Sequence, residues 1–243
     1  MAGQEPHLIL LGYGVNDTLQ LTLESQRVLN RVGKVYVLHA PPNLKRYLKG
    51  LRVTCVDLSD RLQDRPPAET YLDVVDLLLK RTSEERPVVL LSPGNPHFLN
   101  VATRFLVQQA RQRDLTVAVY PAVSQFDALV SYLGLDVSGF GLQMFDAQRL
   151  VERGQAPNPD VPLLVMQVSA FGLNGGPQNG ATFRPLANYL RRYYPEEQPL
   201  TLVNIGLQNR GSNITVTLRD FDSLLPYLRS GSSVFIDRVQ ARA

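Results

Sequence analysis

The stretch Val88-Val89-Leu90-Leu91-Ser92, running into Pro93-Gly94-Asn95-Pro96, constrains this chain more than any other. A short apolar run without alternation reads as a fully buried strand. The turn ends it, because proline fixes φ and lacks the N–H that a ladder or helix interior needs. Apolar residues spaced by three and four follow at Phe98, Val101, Ala102, Phe105, Leu106 and Ala110, the pattern of a helix. Strand, rigid turn and helix in that order place the turn's backbone groups at the carboxyl end of a parallel sheet, where open α/β folds bind ligands. An ordinary strand-to-helix connection has the same appearance, so the weight falls on whether other strand ends repeat it.

They do. Strand signals at His7 to Leu11, Lys34 to Leu38, Arg52 to Val56 and Thr116 to Tyr120 alternate with helical patterns at Leu23 to Val32, Leu44 to Leu48 and Glu69 to Arg81. Thr22 opens the first of these helices and Gly33 closes it. A polar loop at Asp57 to Pro67 stops at Pro66-Pro67. This alternation predicts a parallel α/β unit over residues 1–120. Beyond Pro121, Ser124 caps a helix through Tyr132 that ends at Gly134. A short helix at Asp146 to Arg153, a strand at Leu163 to Val168 and a loop at Gly172 to Gly180 follow. After them come a helix at Phe183 to Tyr194 and strands at Leu200 to Ile205, Ile214 to Leu218 and Ser233 to Asp237. The gap between the first two of these strands is too short for a crossover helix, so residues 121–243 are predicted to carry a mixed sheet.

Hydrophobic residues make up 44% of the 243 and charged residues 19%, enough for a substantial core. The formal net charge is +3, with arginines scattered and no basic run interleaved with aromatics, so no nucleic-acid partner is expected. A single cysteine, Cys55, excludes an intramolecular disulfide framework and suits a reducing cytoplasm. No apolar run reaches membrane-spanning length, and no basic leader precedes Leu8. His7, His39 and His97 are dispersed without partners at ligand spacing, so no metal site is expected. Gly12-Tyr13-Gly14 lacks the third glycine of a dinucleotide fingerprint, and neither a G-x-S-x-G motif nor a P-loop occurs. Tyr189, Tyr193 and Tyr194 fall at helical spacing, a core or interface stripe.

Three further turns stand at strand ends: Tyr120-Pro121-Ala122-Val123-Ser124, Met166-Gln167-Val168-Ser169 and Asn204-Ile205-Gly206-Leu207. With Gly12-Tyr13-Gly14 and Ser92 to Pro96 they form a set. In order and spacing it resembles the tetrapyrrole methylase superfamily of S-adenosylmethionine-dependent methyltransferases. That family's Leu-Thr-Leu after the first glycine turn is Leu21-Thr22-Leu23 here. Its Gly-Asp-Pro turn is Gly94-Asn95-Pro96, and its Pro-Gly-(Val/Ile)-Ser turn is Pro121-Ala122-Val123-Ser124. Leu133-Gly134-Leu135-Asp136, Gly141 to Val151 and Met166-Gln167-Val168 are most similar to borosin-type enzymes, which methylate backbone amides of ribosomal peptides.

The resemblance implies two α/β domains with S-adenosylmethionine in a cleft between them, the first sheet mostly parallel and the second mixed. Carried over residue by residue, the cofactor contacts are Ser92, Gly94, Asn95, Pro96, Phe98 and Leu99, facing Ser124, Gln125, Gln167, Gly206 and Leu207. The family's habit and the stripes at Tyr189 to Tyr194 and Leu72 to Leu79 imply a two-fold homodimer.

The chain departs from the peptide-methylating pattern at Ser92, which stands where those enzymes carry a tyrosine, and in the loop from Asp57 to Pro67, which holds Arg61 and Arg65 but no tyrosine. Amide nitrogen is a poor nucleophile and needs a base or a group that stabilises the imidate. Arg65 is the candidate for the imidate oxygen. Tyr71, with its phenol lowered by that neighbour, is the candidate to accept or relay the proton, and Tyr13 is expected to line the cleft. The expected activity is methylation of a peptide or peptide-like nitrogen supplied in trans. The alternatives are a tetrapyrrole or other small-molecule methyltransferase and a non-catalytic accessory subunit that keeps the cofactor site.

Overall fold

The computed structural model describes residues 5–15, 20–62, 67–172, 179–205 and 211–239. The chain divides into two compact units, Met1–Gln125 and Phe126–Ala243.

The first unit alternates β1 (Leu8–Gly12), α1 (Leu23–Leu29), β2 (Lys34–Val37), α2 (Pro42–Gly50), β3 (Thr54–Asp57), α3 (Pro67–Arg81), β4 (Val88–Ser92), α4 (Val101–Gln112) and β5 (Val117–Tyr120). Its sheet runs β3-β2-β4-β1-β5, and every pairing is parallel. The apolar runs of β1 and β4 have a direct cause: these central strands are covered on both sides, and all ten of their residues are buried. Leu8, Leu10, Val88 and Leu90 face one core layer with α3 and α4. Ile9, Leu11, Val89 and Leu91 face the other, filled by Leu29 of α1 and Leu44 and Leu48 of α2. Cys55 of β3 packs beside this second layer, where burial pushes its thiol up.

Element ends differ from the sequence expectation where a single residue takes an unusual backbone. Arg52 sits at φ 61°, so β3 begins at Thr54 rather than at Arg52. Leu99 sits at φ 50° and Asn100 caps Thr103 N at 3.2 Å, so α4 starts at Val101 and leaves Phe98 in the turn. Pro67 opens α3 instead of closing the loop, because a first helical residue needs no N–H. A short 3-10 turn, Ser59–Leu62, lies within the expected polar loop. The first helix ends at Leu29, three residues before the expected Val32, with Asn30 as its C-cap.

Helix α5 (Gln125–Leu133) starts on the last residue of the first unit, and the second unit continues with α6 (Val137–Phe140), β6 (Gln143–Asp146), α7 (Ala147–Glu152), β7 (Leu163–Met166), α8 (Gly180–Leu190), β8 (Pro199–Asn204), β9 (Ser212–Thr217) and β10 (Ser233–Ile236). The sheet runs β6-β7-β10-β8-β9, with β6 and β7 parallel and the remaining pairs antiparallel. Its core is built around Phe183 and Phe221, whose rings stack at 4.6 Å. A capping box between Asn179 and Thr182 starts α8 at Gly180, three residues before the expected Phe183. Tyr189 and Tyr194 are buried in this core, as Val75, Leu78 and Leu79 are in the first unit, so both stripes read as dimer contacts are largely spent on intramolecular packing.

Candidate functional site

Parallel pairing brings all five strands of the first sheet to a common carboxyl edge, and three turns lock together there. Gly12 pairs in register with Ser92. Just past the strands, Tyr13 N donates to Ser92 O at 3.1 Å and Gly94 N donates to Gly14 O at 3.0 Å. The two glycines thereby form an antiparallel bridge between the turns after β1 and β4. The third turn closes against them: a Cβ on Gly12 would lie 2.3 Å from Gly94 O and 2.7 Å from Ala122 Cβ. Glycine at position 12 is therefore a packing requirement, set by backbone passing backbone.

Gly94 is a glycine for another reason. Its φ is +63°, which side chains rarely adopt, yet a Cβ there would meet nothing nearer than Ser124 Cα at 3.9 Å and Val123 O at 4.0 Å. The turn thus leaves open space bordered by Val123 and Ser124, of the kind a ligand can enter close to main chain. The rest of the turn is rigid. Asn95 Oδ1 accepts from His97 N at 2.9 Å, Phe98 N donates to Asn95 O at 3.0 Å, and Thr103 Oγ1 donates to the buried Pro96 carbonyl. Ser92 Oγ is buried and has no hydrogen-bond partner among the described residues. Leu99 is exposed and Phe98 half-buried, while Ser124 is buried ahead of Gln125 at the start of α5. The first-unit residues carried over from the resemblance, Ser92 to Leu99 with Ser124 and Gln125, thus belong to two of the three interlocked turns.

Tyr13, expected to line a cleft, is buried, and its hydroxyl donates to His39 O at 2.9 Å. It ties the turn after β1 to the end of β2 and contributes to the framework of this edge. His39, for which the sequence suggested no role, lies at the same edge. Burial lowers its imidazole, against the opposing pull of Asp57. At the end of β3, burial pushes Asp57 up, but Lys45 at 2.6 Å and the Ser59 N–H and hydroxyl outweigh this and hold its carboxyl below the ordinary range.

Tyr71 lies in the second turn of α3, half-buried against the core layer of that helix. Burial raises its phenol. This is the opposite of the lowering that a proton-accepting role requires, so the chemistry open to Tyr71 is donation from an intact O–H. Arg65, named as its partner, lies outside the described residues.

In the second unit Gln167 follows β7 in the left-handed region, φ 59°, beside Val168, whose N–H donates to Ser232 O at 3.0 Å. Strands β7 and β8 both pair antiparallel with β10, so their carboxyl ends flank its start; Ser232 Oγ bonds Asn204 there. Gly206 and Leu207, just past β8, lie outside the described residues. Among the described residues no cluster of His, Cys, Asp and Glu could hold a metal ion, and no helix is long and apolar enough to cross a membrane.

The family model of the Tetrapyrrole (Corrin/Porphyrin) Methylases matches residues 7–216. Among curated proteins, a methyltransferase/ribosomally synthesized type III borosin cyclic peptide precursor of Anomoporia bombycina is 24% identical over 69% of this chain and 20% of its own length. The methyltransferase/dendrothelin A precursor of Dendrothele bispora is 27% identical over 68% of this chain and 40% of its own. The chain therefore spans less than half the length of these relatives. Among solved structures, uroporphyrin-III-C-methyltransferase from Thermus thermophilus superposes with a TM-score of 0.67 at 18% identity, covering 97% of this chain and 93% of that one. A form complexed with S-adenosyl homocysteine superposes at 0.63 and 19% identity, covering 95% and 97%.

Proposed function

This chain belongs to the tetrapyrrole (corrin/porphyrin) methylases, a family that uses S-adenosylmethionine, and from that premise we propose that it methylates a nitrogen of a peptide or peptide-like substrate. The observation that carries the cofactor half is the open space beside Gly94, bordered by Val123 and Ser124 on turns that β1, β4 and β5 hold rigid. Ser92, Gly94, Asn95, Pro96, Phe98, Leu99, Ser124 and Gln125 would hold the cofactor from this edge. Gln167, Gly206 and Leu207 are the contacts proposed from the second unit. Bound there, S-adenosylmethionine supplies an electrophilic sulfonium methyl, and the protein contributes orientation and exclusion of water.

The acceptor half is supported by the borosin relatives. Arg65 and the protonated Tyr71 would donate to the amide oxygen and stabilise the imidate, which makes the nitrogen a better nucleophile. His39 is the group on this edge suited to receive the amide proton. A tetrapyrrole acceptor is the second reading, favoured by the solved structures' likeness in fold.

Calorimetric titration with S-adenosylhomocysteine tests the cofactor site, and the absence of heat or thermal shift would remove both readings. Radiolabelled methyl transfer to a peptide library, run beside a tetrapyrrole substrate, decides the acceptor; cofactor binding with no transfer to either favours an accessory subunit. Tyr71→Phe is expected to lower turnover about a hundredfold, the size of a lost acid/base group, and to leave S-adenosylhomocysteine affinity unchanged. Cytoplasmic location and two-fold self-association complete the proposal; a monomer mass by light scattering at micromolar protein would exclude the latter.

A further inference from the structure

We infer that the outward face of α1 and α2 docks an acidic segment of the peptide substrate, an inference that rests on the peptide-methylation reading above. Between residues 25 and 56 the sequence holds seven cations, Arg27, Arg31, Lys34, Lys45, Arg46, Lys49 and Arg52, and no aspartate or glutamate. Two are neutralised from outside the segment, Lys34 by Glu85 and Lys45 by Asp57. The other five are exposed and have no acidic partner among the described residues. Glu24, in the first turn of α1, is the one acidic residue of the two helices; set against it, the five cations leave a surplus of four positive charges, more than the formal net charge of the whole chain, +3.

They share one layer, since Leu29 of α1 and Leu44, Leu48 and Val53 around α2 all pack into the same core cluster on one face of the first sheet. The layer on the opposite face is mixed: Asp73 and Asp76 accompany Lys80 and Arg81, and Arg81 pairs with Glu84 at the end of α3. The positive field is therefore a property of one side of the unit. Arg46 and Lys49 stand three residues apart on α2, where like charges oppose one another and gain from a bound polyanion.

The position of this face suits a tether. Helices α1 and α2 follow β1 and β2 in the chain and lead back to the starts of β2 and β3, so their cations run back from the carboxyl edge that carries the proposed site. An acidic stretch held along them would leave a neighbouring residue of the same peptide free to reach that edge. Carboxylates match the guanidinium fork of four of the five cations. A nucleic acid is disfavoured because the one aromatic residue of the two helices, Tyr47, packs on the core cluster and offers no stacking platform.

The test uses the full chain and a fluorescein-labelled glutamate-rich peptide of about 20 residues, long enough in extended form to follow both helices, with a single-stranded oligonucleotide of equal charge as competitor. Arg27→Glu/Arg31→Glu and Arg46→Glu/Lys49→Glu should each weaken peptide binding at least about tenfold and flatten its salt dependence. Arg104→Glu/Arg111→Glu, on the opposite layer, should leave it unchanged. Melting temperature and S-adenosylhomocysteine affinity should stay constant in all three variants. Equal peptide affinity across the variants, or tighter binding of the oligonucleotide, overturns the inference. Because peptide binding is read without methyl transfer, a failure of the cofactor site registers separately, in the S-adenosylhomocysteine titration.

Discussion

The two sheets contain five strands each and differ in where they put their ends. In the first, every pairing is parallel, so each crossover returns the chain to the same side and all strand ends collect at one edge. In the second, β9 and β10 run against their neighbours, so the ends of β6, β7 and β8 share one edge and those of β9 and β10 the other. The parallel sheet therefore gathers many turns in one place but must bury both faces. The mixed sheet contributes fewer turns and concentrates its large side chains in one core around two phenylalanines.

That contrast can be broken most forcefully from the mixed sheet. Phe183→Ala should cost about 3–5 kcal/mol of stability, measured by denaturant unfolding, since the ring is fully buried and stacked. A loss under about 1 kcal/mol would mean the second core is more forgiving than its packing implies. The matching lesion in the parallel sheet adds atoms. Gly12→Ala should cost about 1–3 kcal/mol, because the new methyl meets backbone at 2.3 Å, whereas Gly139→Ala meets nothing within 4 Å and should be neutral or slightly stabilising in thermal melts. Tyr13→Phe should cost about 1 kcal/mol through its bond to His39 O and leave S-adenosylhomocysteine affinity nearly intact, separating framework from site.

The smallest effect is electrostatic. Asp57 has its carboxyl lowered in the folded state, so its contribution is present above the unfolded value near 3.8 and is lost as pH falls through the folded value. Melts from neutral pH downward should lose slightly less stability in Asp57→Asn than in the parent, with the difference confined to pH below about 4. No difference in the acid limb would mean the Lys45 contact adds nothing.

Much of the first sheet was legible because double burial imposes a plain apolar run, as at Val88 to Leu91 and Leu8 to Leu11. Its boundaries were less so. Arg52 and Leu99 take left-handed backbone that their side-chain types do not announce. Strand β6 escaped the sequence reading because Gln143-Met144-Phe145-Asp146 is an edge strand, half-buried at most, and its last residue doubles as the N-cap of α7. The turns of the site could be found from glycine and proline, whose conformational limits are visible in the sequence. The state of Tyr71 could not, since it depends on burial by residues far along the chain.

The Gly14–Gly94 bridge has a kinetic consequence. The amides of Tyr13 and Gly94 are each protected by the turn opposite, so neither turn can swing away without exposing an amide of its neighbour as well. Both amides should exchange with solvent in a single opening event, at one rate. Any molecule settling beside Gly94 would slow that shared opening and so stiffen a turn on a strand it does not touch.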